Sequence, residues 1–414
     1  MVNSKVRLAY LYSRYPVLSQ TFCDTEMLEL ERRGFELVIA SMYPPKTPVR
    51  HEYLGRFRAP VHYAPEKVTM ESLLRRAKRE RRWPEALVAQ HEGKYGPDYK
   101  AALRARNALF FVGLFERQGI RHFHVHFANR AAHTAMFVKA ISGIPFSVTA
   151  HGQDFMTDLG SDALLREICA AAEFVAAETD YSRDLLAARC PASSEKILRV
   201  YNGIELKKFA RSDETAREPG PIRLLSVGRL VEFKGFEVLI DACADLRREG
   251  IDFTCEIIGD GLLRDELRAR VGETNLAGTV QFSGEQSQDY VLKALAACDI
   301  FVLAAVTDRR GASDVFPTVI AEAMASAKPV VSTTVAGVPE LVAQNKTGLL
   351  VPPRDPNALA TAIARLIRDD AVRAEYGRTG RERIEREFII EKTIQPLLRR
   401  FPVSDRSALS QKPV

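Results

Sequence analysis

The sequence lacks the features that mark membrane-spanning and disulfide-rich secreted proteins. Its 414 residues contain no apolar run near the roughly 20 residues needed to cross a bilayer. The apolar core of residues 1–12 is too short for a secretory signal. Six cysteines are scattered without a Cys-x-x-Cys pair, which predicts reduced, mostly buried thiols rather than disulfides or a zinc site. We therefore expect a cytoplasmic protein.

Other absences narrow the function. No short-period repeat and no low-complexity tract occurs, and no Gly-x-Gly-x-x-Gly follows a predicted strand, which argues against a dinucleotide dehydrogenase. The net charge of +6 is too mild to indicate nucleic-acid binding by itself. Positive charge is concentrated between Lys67 and Arg82, where seven Lys/Arg stand against two Glu. Two interpretations stay open for this stretch: a solvated helix face, or a surface that contacts anionic lipid at the inner membrane face.

The composition is that of a globular enzyme, with 46% apolar and 27% charged residues. The length exceeds the usual size of one hydrophobic core and favours two domains. In the first half, short apolar runs alternate with helical patterns, which predicts a parallel sheet with crossover helices. The predicted strands there are Val6–Leu11, Glu36–Ala40, His122–Phe127, Phe146–Ala150, Phe174–Ala177 and Ile197–Val200. The first helix is expected to begin at Thr21, with Thr21 and Asp24 as its cap.

The second half repeats this alternation after a charged, Pro- and Gly-containing break at 210–221. Its predicted strands are Arg223–Val227, Cys255–Ile258, Val280–Ser283, Ile300–Leu303, Pro329–Ser332 and Gly348–Val351. Predicted helices include Phe236–Arg248, Leu263–Val271 and Thr318–Ala327. The fold class is therefore α/β, with two doubly wound Rossmann-like domains facing each other across a cleft. We assign residues 1–205 to the first domain, 206–222 to a linker, 223–387 to the second domain, 388–401 to a helix crossing back onto the first domain, and 402–414 to a tail.

A phosphate-binding pattern follows the first strand of the second domain. Gly228 and Arg229 come directly after the strand, and Lys234 precedes a helix start. A glycine lets the backbone approach a ligand, a helix N-terminus favours an anion, and two cations can neutralise a diphosphate.

A second pattern joins a loop to a helix between Asp314 and Ala325. Pro317 suits the first turn, where free N–H groups form another cradle for phosphate. Asp314 and Glu322 are spaced so that they can hold hydroxyl groups of two different rings, a sugar and a ribose.

In order and spacing, these motifs resemble those of the family-four retaining glycosyltransferases with the two-Rossmann GT-B architecture. The resemblance extends over nearly the whole chain. In the second domain it rests on Gly228-Arg229-Leu230 with Lys234-Gly235, Gly259-Asp260-Gly261, Phe282-Ser283-Gly284, residues 314–325, Pro329-Val330-Val331, Gly337-Val338-Pro339-Glu340 and residues 347–352. In the first domain, residues 13–22, 124–128 and 145–154 resemble a subgroup of exopolysaccharide enzymes that includes colanic-acid-type transferases.

The resemblance implies roles for individual residues. The catalytic set is His151, Arg229, Lys234 and Asp314. The residues expected to contact the donor are Gly228, Arg229, Lys234, Gly259, Ser283, Phe316, Pro317, Thr318, Val319 and Glu322. Contact with the acceptor falls, on weaker grounds, to Ser19, Gln20, Thr21, His126 and Asp154. Two departures from the family pattern, Asp314 for the usual glutamate and Val315 for a common glycine, leave the donor sugar open.

The implied reaction is transfer of a hexosyl group, with retention of configuration, from a UDP- or GDP-sugar to a glycan or polyprenyl-linked acceptor in surface-glycan synthesis. No cofactor and no metal are expected. The alternating His122, His124 and His126 could bind a metal, but no acidic or cysteine ligand stands nearby in the sequence. Two other functions stay open: a nucleotide-sugar epimerase on the same architecture, which would need no acceptor, and a non-catalytic binding subunit.

Overall fold

The computed structural model describes residues 6–46, 51–156, 161–209 and 220–402. Residues 210–219 of the predicted linker and 403–414 of the predicted tail lie outside the described residues. The described chain forms two parallel sheets of seven and six strands, each flanked by helices. This is the predicted pair of doubly wound domains.

The first sheet has the strand order β3-β2-β1-β4-β5-β6-β7, with every pair parallel. Its strands are β1 (Arg7–Arg14), β2 (Glu36–Tyr43), β3 (Val61–Tyr63), β4 (Phe123–His126), β5 (Phe146–Ala150), β6 (Val175–Ala177) and β7 (Ile197–Arg199). Its helices are α1 (Thr21–Arg32), α2 (Lys67–Arg79), α3 (Glu85–Tyr95), α4 (Ala101–Gln118), α5 (Arg130–Ser142), α6 (Gly152–Phe155), α7 (Ala163–Ala171) and α8 (Asp180–Arg189). Strand β3, three residues at the sheet edge, was not predicted.

The second sheet has the order β10-β9-β8-β11-β12-β13, again all parallel. Its strands are β8 (Ile222–Val227), β9 (Phe253–Ile258), β10 (Val280–Gly284), β11 (Ile300–Leu303), β12 (Val330–Thr333) and β13 (Gly348–Val351). Its helices are α9 (Phe236–Arg248), α10 (Arg264–Glu273), α11 (Gln288–Ala297), α12 (Thr318–Ala325), α13 (Val338–Leu341), α14 (Pro356–Arg368) and α15 (Asp370–Arg383).

Each sheet has a point where the strand order reverses direction. In the first sheet this point lies between β1 and β4, and in the second it lies between β8 and β11. Loops leaving two such strands diverge to opposite faces of the sheet, so a crevice opens at their carboxyl ends. These two crevices are where ligands are expected.

The C-terminal segment packs on the first domain, but it is not one helix. A π-helical turn (Ile384–Phe388) is followed by α16 (Ile390–Thr393) and α17 (Gln395–Arg400). The predicted continuous helix is wrong because Ile389 is extended and forms a backbone bridge with Ile204, and because Pro396 cannot continue a helix from the preceding turn. Side chains from α16 and α17 share a core with residues of β1 and α1.

The start of α1 differs from the prediction. Gln20, not Thr21, is the N-cap, and it makes no side-chain cap hydrogen bond. Asp24 does not reach back to the helix start, because its carboxylate accepts hydrogen bonds from Tyr15 (2.8 Å) and Tyr53 (2.7 Å). The predicted cap is therefore wrong, although the helix begins where expected.

Candidate active site

The loop after β8 is shaped by two glycines that touch. Gly259 follows β9 with φ +140°, and a Cβ there would overlap the carbonyl oxygen of Gly228. Gly228 in turn lies against the side chain of Lys234, to which an added Cβ would come within 3.3 Å. The backbone at the end of β8 is thus held close to the lysine by the absence of side chains.

Of the three charged residues predicted at this end of the domain, two form an ion pair and the third, Arg229, forms none with a described residue. Lys234 and Asp314 form an ion pair, and both side chains are largely buried. Arg229 is exposed, with its guanidinium 5.6 Å from the ring centroid of Phe233, and among the described residues it has no ion-pair partner. The crevice at the β8/β11 end therefore holds one uncommitted cation and one that is neutralised by a carboxylate.

Helix α12 begins at this crevice with its N–H groups uncapped by a side chain. Pro317 is the N-cap rather than the first helical residue, and Thr318 is the first. Phe316 and Val319 face the domain core, where the Phe316 ring lies 5.7 Å from that of Tyr201. The first N–H groups of the helix thus lack a side-chain acceptor, and the contact of residues 316–319 with phosphate stays a prediction.

Glu322 is buried in α12. Burial raises the pKa of Glu322 to about 7, and the charge of Lys208 offsets only part of that effect. Among the described residues no hydrogen bond or ion pair reaches its carboxylate. A buried carboxylate without a partner can accept hydrogen bonds from ligand hydroxyl groups.

Ser283 lies at the end of β10, at the sheet edge. Its hydroxyl donates to Glu256, which also accepts from Tyr290 at 2.9 Å. The structure therefore joins Ser283 to Glu256 and does not bring its hydroxyl to the charged residues at the end of β8.

In the first domain, His151 follows β5 and is buried between two polar partners. Its Nδ1 is 3.0 Å from Glu178, and its Nε2 is 3.1 Å from Nδ1 of His126. Burial alone would lower the pKa of His151, but the ion pair with Glu178 raises it above its usual value, and Asp154 adds to this. Asn202 donates to Glu178 at 2.5 Å and fixes that carboxylate.

This hydrogen-bond chain continues from His126 to Glu26 and Tyr10. His126 Nε2 is 3.2 Å from Glu26, and Glu26 also accepts from the Tyr10 hydroxyl at 2.6 Å. Glu26, His124 and His126 form the one group of potential metal ligands found among the described residues. The Nε2 atom of His124 already pairs with Thr149 at 2.9 Å, and burial lowers the pKa of His124. That the protein works without a metal stays a prediction.

The two domains bring the His151 loop against the Asp314 loop. Gly152 packs so closely that a Cβ on it would lie 3.0 Å from Cγ1 of Val315 and 3.2 Å from the carbonyl oxygen of Ser313. The residue that follows His151 therefore packs against the two residues that flank Asp314, across the cleft.

A cavity of about 650 Å³ occupies the β1/β4 crevice of the first domain. Of the five residues predicted to contact acceptor, Gln20 and Asp154 line it, whereas Ser19, Thr21 and His126 do not. Asp154 acts on the loops around the cavity. Its carboxylate accepts hydrogen bonds from the N–H groups of Ala128 (2.7 Å) and His151 (3.0 Å) and from the Asn129 amide (2.7 Å).

Sequence reasoning missed several residues of the site. Glu178 directly follows β6 and could have been found by the rule that strand ends meet at one sheet edge. Glu26 lies within α1, and Arg104 within α4, where no motif distinguishes either from a surface charge.

Two general expectations can be checked in the described residues. All six cysteines are buried and unpaired, as predicted. In the described part of the chain, no helix combines the length and apolar character required to traverse a bilayer.

Comparisons with known proteins identify the family. A model described as Glycosyltransferase Family 4 matches residues 20–208, and one described as Glycosyl transferases group 1 matches residues 208–383. The amylovoran biosynthesis glycosyltransferase AmsK of Erwinia amylovora is 28% identical over 92% of this chain and 96% of its own. The putative colanic acid biosynthesis glycosyltransferase WcaL of Salmonella typhimurium is 35% identical over 48% of each chain.

Solved structures agree on the fold. Anabaena Alr3699/HepE, crystallised with UDP-glucose, superposes with a TM-score of 0.72 at 18% identity, over 95% of this chain and 98% of its own. Sucrose-phosphate synthase from Thermosynechococcus elongatus gives a TM-score of 0.70 at 19% identity, over 95% and 98% of the two chains. With both family models matched in succession and both domains superposed, the chain belongs to the family-four glycosyltransferases of the GT-B fold.

Proposed function

We propose that this protein transfers a hexosyl group from a nucleotide-diphosphate sugar to a glycan or lipid-linked oligosaccharide, with retention of configuration and without a metal. The observation that carries the proposal is the convergence of Arg229, Lys234 and the uncapped start of α12 at the β8/β11 crevice. Two cations and a set of free N–H groups are suited to a diphosphate.

The ion pair of Lys234 with Asp314 suggests how the donor enters. A diphosphate is a stronger partner for Lys234 than one carboxylate, so a bound donor would draw the ammonium toward phosphate. Asp314 would then be free to accept a hydrogen bond from the transferred sugar. Glu322, buried and without a partner, would hold the ribose hydroxyls. UDP and UDP-glucose are the ligands named for the Anabaena structures.

In the proposed reaction, the bond between the anomeric carbon and the diphosphate oxygen breaks and its electrons stay with the phosphate. Fixed positive charge at that oxygen stabilises the transition state more than the ground state. The acceptor oxygen bonds to the anomeric carbon on the face that the phosphate leaves, and its proton passes to the departing phosphate. His151, held by Glu178 and His126 beside the Asp314 loop, would orient the sugar.

The cavity in the first domain favours transfer over epimerisation, because an epimerase needs no room for a second substrate. A volume of about 650 Å³ falls within the range of small-molecule sites. The names of the relatives, which concern amylovoran and colanic acid, point to an exopolysaccharide or other surface glycan as the product.

The decisive experiment removes the cations singly. Arg229→Ala and Lys234→Ala should each lower the rate of transfer by at least about 100-fold, as loss of one transition-state donor does elsewhere. Lys346→Ala, at an exposed lysine on the same domain, is the matched control. Equal melting temperatures would show intact folds. Full activity in either variant would remove the proposed mechanism.

We also propose a peripheral membrane contact through α2. The helix exposes Arg75, Lys78 and Arg79, and Val68 beside them is 75% exposed. Sedimentation with phosphatidylglycerol vesicles should exceed that with phosphatidylcholine and should fall as salt rises. The charge-reversed pair Arg75→Glu/Arg79→Glu should stay in the supernatant, whereas Arg247→Glu/Arg248→Glu on α9 should sediment like the wild type. Equal sedimentation of both pairs would refute the contact.

A further inference from the structure

Arg104 is a buried cation that the surrounding protein does not satisfy. It lies in the first turns of α4, only 4% of its surface is exposed, and it lines the cavity of the first domain. Its Nε and Nη1 atoms are buried without a hydrogen-bond partner among the described residues. Tyr43 is its hydrogen-bonding neighbour. Such a guanidinium costs stability unless a ligand completes it.

Three arginines that line the cavity have no ion-pair partner among the described carboxylates. Arg14 and Arg130 also line it, and neither forms an ion pair with a described carboxylate. Arg14 instead donates to the carbonyl oxygen of Pro44 and lies 5.3 Å from the Tyr43 ring. Burial lowers the pKa of Arg104, and the charge of Arg130 lowers it further. A bound anion would relieve both effects.

The carboxylates of the cavity are committed elsewhere or stand at its rim. Asp154 accepts the three N–H hydrogen bonds described above. Asp162 pairs with Arg189 at 3.5 Å and with Arg166 at 3.8 Å. Asp98 is exposed. None of the three forms an ion pair with Arg104 in the described residues.

Helix α5 adds a second electropositive group. It begins at Arg130, and the side chain of its N-cap Asn129 accepts no hydrogen bond from the helix; its amide nitrogen donates to Asp154. Both residues line the cavity. The first N–H groups of this 13-residue helix therefore lack a side-chain acceptor at the same wall as the arginine.

We propose that this cavity binds an anionic group of the acceptor, held by the guanidinium of Arg104 together with Arg130 and the start of α5. The ligand chemistry is an oxyanion, which a lipid-linked acceptor supplies as a diphosphate and an acidic glycan supplies as a uronate carboxylate. The inference rests on the proposed function, because it names the class of acceptor for that transfer.

The position of the cavity fits an acceptor. Phe127 and Asp154 line it, the Phe127 ring lies 4.3 Å from that of His151, and Asp154 binds the backbone of His151. An acceptor anchored by its charge at Arg104 would thus extend toward the His151 loop, which faces the donor domain.

The test measures anion binding by calorimetry in a background of Arg229→Ala/Lys234→Ala, so that the cations of the proposed donor crevice do not contribute. The probes are inorganic pyrophosphate and glucuronate, titrated separately. Arg104→Gln should weaken the tighter probe at least about 10-fold, because hydrogen bonds to charged groups are lost. Arg117→Gln, an exposed arginine on the last turns of α4, is the matched control and should bind like the background.

Stability separates a ligand-binding arginine from a structural one. Arg104→Met should melt no lower than the wild type, since it removes unsatisfied buried polar groups, yet it should lose the probe. Arg104→Lys keeps the positive charge but loses the planar, bidentate guanidinium, so it should bind the probe with intermediate affinity.

Two results would overturn the inference: neither probe binding to the background protein, or Arg104→Gln binding as tightly as Arg117→Gln. Tighter binding of pyrophosphate would assign the diphosphate source, and tighter binding of glucuronate the uronate. Failure of the proposed function has a separate signature, because the protein with native Arg229 and Lys234 would then bind neither UDP nor GDP while anion binding at Arg104 persisted.

Discussion

At the scale of single residues, Glu322 is a buried carboxylate that the described protein does not satisfy. The carboxylate has neither an ion-pair partner nor a hydrogen-bond donor in the described residues, and Lys208 offsets only part of the effect of burial, so its charge is costly in the unliganded protein. The same isolation leaves its oxygens available to hydroxyl groups of a ligand. A residue that only served stability would have been paired or apolar.

The cost can be measured as a pH dependence. The folded pKa of Glu322, about 7, lies above its ordinary value of 4.5. The folded protein therefore holds a proton that the unfolded chain releases, and stability falls as pH rises from about 4.5 to about 7. Glu322→Gln should remove this fall, so it should melt higher than the wild type at pH 8 and equally at pH 4.

The affinity for the donor should fall in the same variant whose stability rises. Glu322→Gln should weaken the nucleotide-sugar about 10-fold or more, because charge-assisted hydrogen bonds to the hydroxyls are lost. Glu375→Gln, at an exposed glutamate on α15, serves as the control for both thermal unfolding and calorimetry. A stability difference that is the same at pH 4 and pH 8 would contradict the assignment.

At the scale of elements, the strands were predictable because each is a short buried run between loop signals. Ile300–Leu303 and Gly348–Val351 have the predicted bounds, since each is a mostly buried run of apolar residues, the second one begun by a glycine. Strand β3 escaped prediction because Val61 and Tyr63 are half exposed at the sheet edge and give no apolar pattern. The break before α16 depended on a long-range bridge to Ile204, which periodicity does not encode.

The residues of the candidate site also divide into those that local sequence places and those that tertiary packing places. The position of Arg229 directly after β8 was predictable because a short apolar run marks the end of a strand, and Pro317 lies one residue before its predicted place in the first turn. The roles of both residues stay predictions. The partners of His151, and the burial of Arg104 without a full set of partners, depend on which side chains other elements bring to them. Those contacts are set by tertiary packing, and no spacing in the sequence predicts them.

The turn after β9 gives a prediction at this scale. Gly259→Ala should destabilise the second domain by about 2 kcal/mol or more and abolish donor binding, because its Cβ would overlap the Gly228 carbonyl. Gly250→Ala is the matched control, since Gly250 also has positive φ, at +74°, but has open space around its Cα. It should cost only about 1 kcal/mol and leave donor affinity unchanged. Chemical denaturation and calorimetry measure the two effects, and equal losses in both variants would refute the steric argument.

At the scale of the whole molecule, Glu340 of α13 joins the two domains. Its carboxylate accepts hydrogen bonds from the N–H groups of Asp180 and Tyr181, both at 2.8 Å, and from the Tyr201 hydroxyl at 3.0 Å. It thereby caps helix α8 of the opposite domain, where negative charge is favoured. Close by, Gly337 allows Thr179 to approach the backbone of the second domain.

This cross-domain cap should hold the cleft closed, since hydrogen bonds to charged groups are each worth up to about 1.5–3 kcal/mol. Glu340→Gln should weaken it, so that small-angle scattering gives a larger radius of gyration and the KM for donor rises while each domain keeps its fold. Glu382→Gln, at an exposed glutamate that pairs with Arg378 on α15, should behave as the wild type. Because His151 lies in one domain and Asp314 in the other, kcat should fall as well. A variant with unchanged scattering and unchanged kinetics would mean that the domains keep their arrangement without Glu340.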